Sequence, residues 1–403
     1  MVGRRAVAVF LAFAFAYFFS ALLRAVTATL APEFSRELGL GAGQLGLLAG
    51  AYFLGFSAMQ LPLGQALDRH GPKRVIVGLL FVAVFGCVAF SLARSMVQML
   101  AARLVIGLGV SACLMAPLTL FRHRFSVPAQ MRANSWMLMT GSLGMLMSTL
   151  PAQRLLPLTG WRGLFALVAG LLMISVLLIV LLVPSDGPSV APSPPEADGY
   201  RAVFRMPAFR RLLPAGFFSY GGMVAMQSLW IGPWLTNVGQ RTPDQAAAGL
   251  FLVNACMLMA FLGWGLALPR LLHMGWHAQR IISLTWWPGA LCLLFIVWRG
   301  TEAGAIEWAL WCVLTSVITL SQPAVGQAFP AALAGRALSA FNLVIFLGVF
   351  VVQWGLGLLI DALAAFGWPL PEAYRAAFAI YLACCTFAFL WMGRQSADAT
   401  TRP

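Results

Sequence analysis

The stretch Gly64–Arg74, GQALDRHGPKR, decides the fold, because it lies between two long apolar runs. Its one acid, Asp68, is outnumbered by Lys and Arg side chains at three positions: Arg69, Lys73 and Arg74. A segment this charged cannot lie in hydrocarbon, so it is predicted to be an aqueous turn between two membrane-spanning helices. The excess of basic residues places this turn on the cytoplasmic side and orients the spans on either side of it.

Composition indicates an integral membrane protein. Of the 403 residues, 61% are hydrophobic and only 9% are charged, whereas soluble domains carry about 25% charged residues. The apolar runs are continuous and of helix length, so helices are predicted rather than the alternating strands of a barrel. The net charge of +14 comes from arginines scattered through the loops. This distribution argues against a nucleic-acid partner and leaves the lipid bilayer as the expected one.

The sequence predicts no enzyme activity and no metal or cofactor site. The seven cysteines lie inside apolar runs without the spacing of metal ligands, and are interpreted as small core residues. A phosphate-cradling Gly-Lys-Ser/Thr loop and a nucleophile–base pair are both missing from the sequence. An ATP-driven pump and a hydrolase are therefore not expected.

The chain is predicted to cross the membrane twelve times. Apolar runs long enough to span about 30 Å of hydrocarbon recur along it. They occupy approximately 7–31, 44–66, 74–93, 97–121, 133–155, 162–183, 212–236, 246–268, 280–298, 305–328, 337–360 and 375–393. The predicted fold class is therefore an all-α membrane protein with twelve transmembrane helices.

A Pro/Ser-rich stretch divides these spans six and six. Residues 184–211 begin PSDGPSVAPSPPEADG and end in the basic pair Arg210-Arg211, as expected for a flexible cytoplasmic linker. The predicted domains are an N-terminal six-helix bundle, 1–183, and a C-terminal six-helix bundle, 212–403. The sequence ALDR after the second span and ALPR after the eighth form a weak repeat. This repeat indicates two pseudo-symmetric bundles.

The distribution of basic residues predicts the topology. Most of the 26 Lys and Arg residues lie in loops that are internal if the N-terminus is internal, so both termini are predicted to be cytoplasmic. The long apolar run after Arg4 and Arg5 is interpreted as a retained span rather than a cleaved signal. The predicted location is a bacterial cytoplasmic membrane, and we expect a monomer.

Three motifs are similar to those of the major facilitator superfamily, and the resemblance covers nearly the whole chain. Gly64–Arg74 resembles the family signature between helices 2 and 3. Arg103–Pro117, RLVIGLGVSACLMAP, resembles its helix 4 motif, and Gly160–Phe165, GWRGLF, its entry to helix 6. The resemblance implies secondary transport by rocking of residues 1–183 against 212–403 around a central site.

The first two spans also resemble the anion-transporting branch of that family. The pattern Y-x6-R, from Tyr17 to Arg24, precedes a second helix that ends QLPLG before the signature. In that branch an arginine in helix 1 meets the negative charge of the substrate, which implies this role for Arg24. The chain departs from the branch at Leu23, where an aspartate is common.

Arg24 is the leading candidate for substrate binding. A charge within a span costs about 2.5–3.5 kcal/mol on insertion scales, so it must face a cavity or a partner. The planar guanidinium suits a carboxylate or a phosphate, and Tyr17 lies on the same helical face. The alternative is a structural arginine that extends to the outer surface or bonds to backbone carbonyls.

Neutral amides and aromatic residues are the other candidates for substrate contacts. They are Tyr17, Tyr52, Gln60, Tyr220, Gln227, Trp230, Asn254, Gln322, Asn342 and Gln353. Together they suggest a wet, amphipathic cavity. Individually, each is at least as well explained by an inter-helix hydrogen bond worth about 0.6–2 kcal/mol.

A second set is predicted to control conformation: Gly64, Asp68, Arg69, Gly71, Lys73, Arg74 and Arg103. The family resemblance implies that Asp68 latches onto the N-terminus of the eleventh span, near Arg336, and stabilises an outward-open state. The alternative is a solvated loop acid. For Arg103 the resemblance implies proton or conformational coupling. The alternative is a packing arginine bonded to neighbouring carbonyls or hydroxyls.

No carboxylate lies in the middle of a predicted span, and the four histidines fall in predicted inner loops. A core carboxylate is the usual carrier of protons and binder of cationic drugs. Its absence counts against sugar/proton symport and cationic-drug efflux, and favours secondary transport of a small anion. Two alternatives stay open: efflux of amphipathic drug-like compounds and a non-transporting membrane sensor. The direction of transport and a coupling proton or other ion are also left open.

Overall fold

The computed structural model describes residues 4–184, 199–276 and 278–400. Across these ranges the chain folds into helices connected by short turns, without a strand. The predicted all-α class is therefore confirmed. Residues 185–198, which hold the Pro/Ser-rich part of the predicted linker, lie outside the described residues.

The helices of the first part of the chain are long and closely spaced. In order they are α1 (Arg4–Leu38), α2 (Ala42–Ala58), α3 (Gln60–His70), α4 (Pro72–Ser91), α5 (Met96–Val110), α6 (Ala112–Arg124), α7 (Val127–Met147) and α8 (Leu150–Leu182). Single-residue breaks at Met59 and Ser111 separate α2 from α3 and α5 from α6.

The second part contains both long helices and short pieces. In order they are α9 (Gly199–Arg205), α10 (Pro207–Pro214), α11 (Gly221–Ala225), α12 (Ile231–Pro233), α13 (Pro243–His273), α14 (Ala278–Arg299), α15 (Ala305–Thr315), α16 (Ser321–Gln327), α17 (Ala331–Ala365) and α18 (Leu370–Thr400). Wide π-helical turns at Ala215–Tyr220, Met226–Trp230 and Trp234–Val238 join and follow α10 to α12, and a 3-10 turn joins α15 to α16.

Ten of the twelve predicted spans coincide with helical stretches that could cross a membrane. In the described residues, nine helical stretches are long and apolar enough if α5–α6 and α15–α16 each count as one, and the pair α2–α3, bent by 44°, adds a tenth. The other two predicted spans fall short for different reasons. α7 carries several polar side chains in its first two turns, and residues 207–238 are divided into short pieces. The count of twelve crossings stays a prediction.

One helix end differs from the sequence prediction, and one break within a helix agrees with it. α1 continues to Leu38, past Pro32, although the predicted first span ends at residue 31. Membrane helices tolerate such a proline because neighbouring groups satisfy the freed backbone carbonyl. α8 is interrupted at Gly160, whose φ of +62° and ψ of 172° are not helical. Glycine adopts this conformation readily, so the break falls at the start of GWRGLF, where the sixth span was predicted to begin.

The signature turn is short and well defined. Gly71 has a φ of +78°, which favours glycine, and Pro72 is the first residue of α4. These two residues end one helix and start the next within a single position. Lys73 extends from the turn to the end of α8, where its Nζ donates to the carbonyls of Val180 at 2.8 Å and Val183 at 2.5 Å. A cation at a helix C-terminus is stabilised by the helix dipole.

The described chain divides into two compact units. Unit 1 comprises residues 4–30 and 51–184, and unit 2 comprises 31–50, 199–276 and 278–400. The units separate in the region of the predicted linker. In addition, residues 31–50, from the end of α1 and the first half of α2, belong to the second unit.

Glycines bring the helices of unit 1 into backbone contact. A Cβ at Gly107 would overlap the carbonyl of Tyr52, and one at Gly55 would overlap the carbonyl of Leu104. α5 therefore lies directly against α2, in the manner of small-residue packing in membranes. Gly107 is the first glycine after Arg103 in the helix 4 motif, which gives that glycine a packing role.

Large apolar side chains cover the outside of both units. Phe85 on α4 is 67% exposed and Leu92, directly after α4, is 70% exposed, and on α14 Leu291 is 60% and Trp298 is 71% exposed. Exposed apolar residues of this size and number are a liability in water. They are expected on helices whose outer surface faces lipid.

Candidate functional site

Arg24 lies in the middle of α1 and is only partly exposed within unit 1. Its guanidinium interacts electrostatically and by side-chain hydrogen bonding with the hydroxyls of Tyr17 and Tyr52, which are both buried. Its Cζ lies 5.6 Å from the centre of the Phe56 ring, within the range of a cation–π contact. The buried thiol of Cys113 is a further electrostatic neighbour. Three of the predicted substrate contacts, Arg24, Tyr17 and Tyr52, are thus brought together.

Arg103 is hydrogen-bonded to the turn of α1 that contains Arg24. It is fully buried, and its Nη1 donates to the carbonyl of Leu23 at 2.9 Å while its Nη2 donates to the hydroxyl of Thr27 at 2.6 Å. Its Cζ also lies 5.3 Å from the centre of the Tyr52 ring. These contacts are typical of a packing arginine. They also fix the position of the α1 groups to which Arg103 is bonded. The predicted role of Arg103 in coupling stays a prediction.

The remaining gating candidates surround the turn between α3 and α4. Asp68, Arg69 and Arg74 are exposed. A Cβ at Gly64 would meet open space, so packing does not require glycine there. Lys73 donates hydrogen bonds to carbonyls at the end of α8. The predicted latch by Asp68 is not tested by these observations and stays a prediction.

The amide candidates of unit 2 form short hydrogen-bonded chains. The Tyr220 hydroxyl donates to Gln322 Oε1 at 3.3 Å, and Gln322 Nε2 donates to Asn342 Oδ1. This places three predicted contacts, from a π-helical turn, α16 and α17, side by side. Polar side chains bonded in this way are satisfied inside the bundle.

The other amides are also bonded within their own unit. Gln227 Nε2 donates to Asn254 Oδ1 at 3.1 Å, and Gln353 Nε2 donates to the hydroxyl of Ser228 at 3.0 Å. In unit 1, Gln60 Nε2 donates to the carbonyl of Phe56 at 3.2 Å, one turn earlier in the chain. These bonds link helices or cap a break. Substrate contact by these residues stays a prediction.

Trp230 lies in an aromatic cluster rather than on a surface. It is fully buried, and its ring centre lies 6.0 Å from that of Tyr374 and 6.5 Å from that of Phe378. Trp234 stacks on the same Phe378 ring at 5.0 Å. Edge-to-face and offset contacts of this kind stabilise a core.

Three residues in these groups are not predicted from the sequence. Phe56 on α2 lies in cation–π range of Arg24, Cys113 on α6 interacts electrostatically with Arg24, and Ser228 bonds Gln353. Phe56 could have been found, because it follows Tyr52 by four residues and therefore shares its helical face. Cys113 and Ser228 carry no such signal, since they are small residues in apolar runs.

The described residues form helices in two units, with apolar side chains on their outer surfaces and a partly exposed arginine in the middle of the first helix. These are features of a multi-pass membrane transporter. The family model for the Major Facilitator Superfamily matches residues 13–353. The chain belongs to this superfamily.

The sequence is also similar to individual transporters. The 4-hydroxybenzoate transporter PcaK of Pseudomonas aeruginosa is 30% identical over 165 residues, which cover 41% of this chain and 36% of that protein. The probable L-galactonate transporter of Escherichia coli is 25% identical over 130 residues, which cover 32% of this chain and 28% of that protein. These matches span about a third of each relative's length. In this respect the chain resembles the anion-transporting branch.

Solved structures confirm the fold. A bacterial homologue of the human lysosomal transporter Spinster, in an inward-facing and unoccupied conformation, matches with a TM-score of 0.77 and 15% identity. The match covers 98% of both chains. The family and its relatives are transporters of small molecules, so the prediction that the chain is not an enzyme is confirmed.

Proposed function

We propose that the protein is a secondary transporter that moves a small organic anion across a bacterial cytoplasmic membrane, with Arg24 as the residue that binds the anion. The observation that carries this proposal is the group around Arg24. A partly exposed arginine in the middle of a membrane helix has its guanidinium beside two tyrosine hydroxyls and an aromatic ring.

The charge of unit 1 supports an anionic substrate. In the part of unit 1 that the structure describes, Asp68 is the one acidic residue, and it is exposed near the end of α3. Arg24 and the buried Arg103 both contribute positive charge to the interior of the same unit. Charges act strongly on one another in such a low-dielectric region. A small anion is therefore attracted to this site, whereas a cationic drug is repelled.

The chemistry of the site favours a carboxylate. A guanidinium donates two parallel hydrogen bonds to a carboxylate, and tyrosine hydroxyls can donate further ones. The relatives are named for 4-hydroxybenzoate and L-galactonate, and each of these molecules carries one carboxylate. We propose a monocarboxylate as the substrate and alternating access of the two bundles as the mechanism, with both termini in the cytoplasm.

The test is counterflow of labelled 4-hydroxybenzoate and L-galactonate in proteoliposomes, together with binding to the purified protein. We expect the carboxylates to compete and the uncharged 4-hydroxybenzamide not to compete. Arg24→Ala should weaken binding roughly 10- to 100-fold, since a hydrogen-bonded ion pair contributes about 1.5–3 kcal/mol.

Arg162→Ala is the matched control, because it removes the same charge from unit 1 at a different place. Arg162 lies over the Trp161 ring at 4.0 Å and contacts the carbonyl of Ala93. This control should bind anions as the unmodified protein does. If Arg24→Ala folds and still exchanges anions normally, the anion site is wrong. The efflux of amphipathic compounds would then be the better hypothesis.

A further inference from the structure

The first half of α2 packs against α17 through a face of glycines. A Cβ at Gly46 would overlap the carbonyl of Gln353, and one at Gly357 would overlap the carbonyl of Ala42. One turn further along α2, a Cβ at Gly50 would lie 2.8 Å from the Phe350 ring. Both segments belong to unit 2. Their backbones therefore touch along about two helical turns.

The carboxylate of Asp361 lies at one end of this contact, at the N-terminus of α2. Asp361 Oδ1 accepts a hydrogen bond from the backbone N–H of Ala42 at 3.0 Å, and Oδ2 accepts one from Gly43 at 2.8 Å. Helix N-termini are usually capped by the side chain of the preceding residue. Here that residue is Gly41, which has no side chain, so the cap of α2 comes from a residue more than 300 positions away.

The position of Asp361 makes this cap conditional. The residue lies in the last turns of α17, which ends at Ala365. A negative charge near the C-terminus of its own helix is unfavourable, whereas the same charge at the N-terminus of another helix is favourable. Asp361 is therefore stabilised only while α2 is docked. The charge of Asp361 therefore stabilises the arrangement in which α2 is docked on α17 relative to one in which α2 is released.

We propose that Asp361 and the glycine face of α2 form a conformational latch, the α2–α17 latch, comprising residues 41–50 and 350–361. The latch holds the first half of α2 on α17 and is released during the transport cycle. α2 is shared between the two compact units, because residues 42–50 belong to unit 2 and residues 51–58 belong to unit 1. A rearrangement of the units must release this segment or bend the helix. The release step rests on the proposed function, whereas the docking itself does not.

The experiment measures the rate at which a charged thiol reagent modifies a cysteine within the latch, in purified protein in nanodiscs. The reporters are Ala42→Cys, at the cap, and Ala49→Cys, about two turns further along, since these alanines are 8% and 1% exposed. Peptide mass spectrometry reads each position separately from the seven native cysteines. No substrate is needed.

Asp361→Ala should raise the modification rate at both reporters at least about tenfold, because it removes two charge-assisted hydrogen bonds. Gly46→Val should do the same, because its side chain would overlap the α17 backbone. Glu372→Gln is the control. It removes an acid that pairs with Arg375 near the start of α18, at 2.8 Å, and the rates should stay unchanged.

Unchanged rates at both reporters in Asp361→Ala and Gly46→Val would overturn the latch. A rise at position 42 alone would also overturn it, because it would show local fraying of the first turn of α2. Arg24→Ala distinguishes the two proposals. Loss of anion binding in that variant, with unchanged modification rates, tests the substrate site separately from the latch.

Discussion

Arg103 is a fully buried arginine, whereas Arg24 is partly exposed. Arg103 directs its guanidinium to the carbonyl of Leu23 and the hydroxyl of Thr27, which flank Arg24 along α1. It is fully buried and cannot contact a solute directly in this conformation. Its effect on transport is therefore exerted through the position of Arg24 and through its charge.

Replacement of Arg103 by lysine should separate these two effects. The variant keeps the positive charge but loses the planar fork that bonds two α1 groups at once. We expect a loss of about 1–3 kcal/mol of unfolding free energy. Anion affinity should fall several-fold at an unchanged maximal rate, as measured by counterflow over a range of concentrations.

Thr119→Val provides a comparison for Arg103→Lys. The Thr119 hydroxyl donates only to the carbonyl of Met115, in its own helix, so its loss should change neither quantity. Unchanged affinity with a lower maximal rate in Arg103→Lys would contradict the positioning role. That result would instead support the predicted role of Arg103 in coupling.

Helix contacts in unit 1 depend on glycines at particular places. Gly107 brings α5 against the carbonyl of Tyr52, in the same part of α2 that contacts Arg24. Gly107→Ala should therefore destabilise the protein by about 1–3 kcal/mol, since an added methyl group in a tight contact forces the backbone to shift. Thermal unfolding in detergent provides the measurement.

Gly78→Ala, on α4, is the matched control for Gly107→Ala. A Cβ at Gly78 would have no atom within 4 Å, and alanine is preferred to glycine inside a helix. This variant should be as stable as the unmodified protein or slightly more stable. Equal effects of the two substitutions would show that helix propensity, rather than the contact, determines the result.

Sequence alone could predict most of the elements but not all of their partners. The apolar runs predict helices because each is continuous and long enough to span hydrocarbon, and Tyr17 shares a face with Arg24 by its spacing on one helix. The polarity of Tyr52 marks it as a candidate, but its contact with Arg24 depends on the packing of α2 on α1. α1 extends seven residues beyond the approximate end of the predicted first span at residue 31, because a membrane helix tolerates a proline such as Pro32.

The hydrogen-bond partners of Asp361 could not be predicted from local sequence patterns. It ends an apolar run and has no neighbour in sequence that suggests a partner. Its hydrogen bonds to Ala42 and Gly43 join residues more than 300 positions apart. A single sequence contains no local signal for such a pair, and so the membership of residues 31–50 in unit 2 could not be predicted.

At the scale of the whole molecule, Asp68 is predicted to act on conformation rather than on binding. Asp68→Asn keeps the size of the side chain and removes its charge at the exposed end of α3. If the carboxylate stabilises one state of the cycle through a helix N-terminus, its loss changes that state by about 0.3–1 kcal/mol. Turnover in proteoliposomes should slow severalfold, with little change in the affinity for the anion.

Glu302→Gln is the control for Asp68→Asn, because Glu302 is also an exposed acid at a helix end and pairs with Arg299 at 3.3 Å. Its turnover should equal that of the unmodified protein. Unchanged turnover in Asp68→Asn would remove the predicted cytoplasmic latch and leave the fold and the Arg24 site unaffected.

The division of α2 between the two units has a consequence for experiments with split proteins. A cut in the stretch 185–198 would give two fragments, and the C-terminal fragment would lack residues 31–50, which complete its own compact unit. The surface of α17 that contacts the glycines of α2 would then be uncovered. Asp361 would lose the helix N-terminus that it caps and would remain near the C-terminus of its own helix, where a negative charge is unfavourable. Co-expressed fragments should therefore assemble through this missing piece, whereas the second fragment made alone should be short-lived in the membrane.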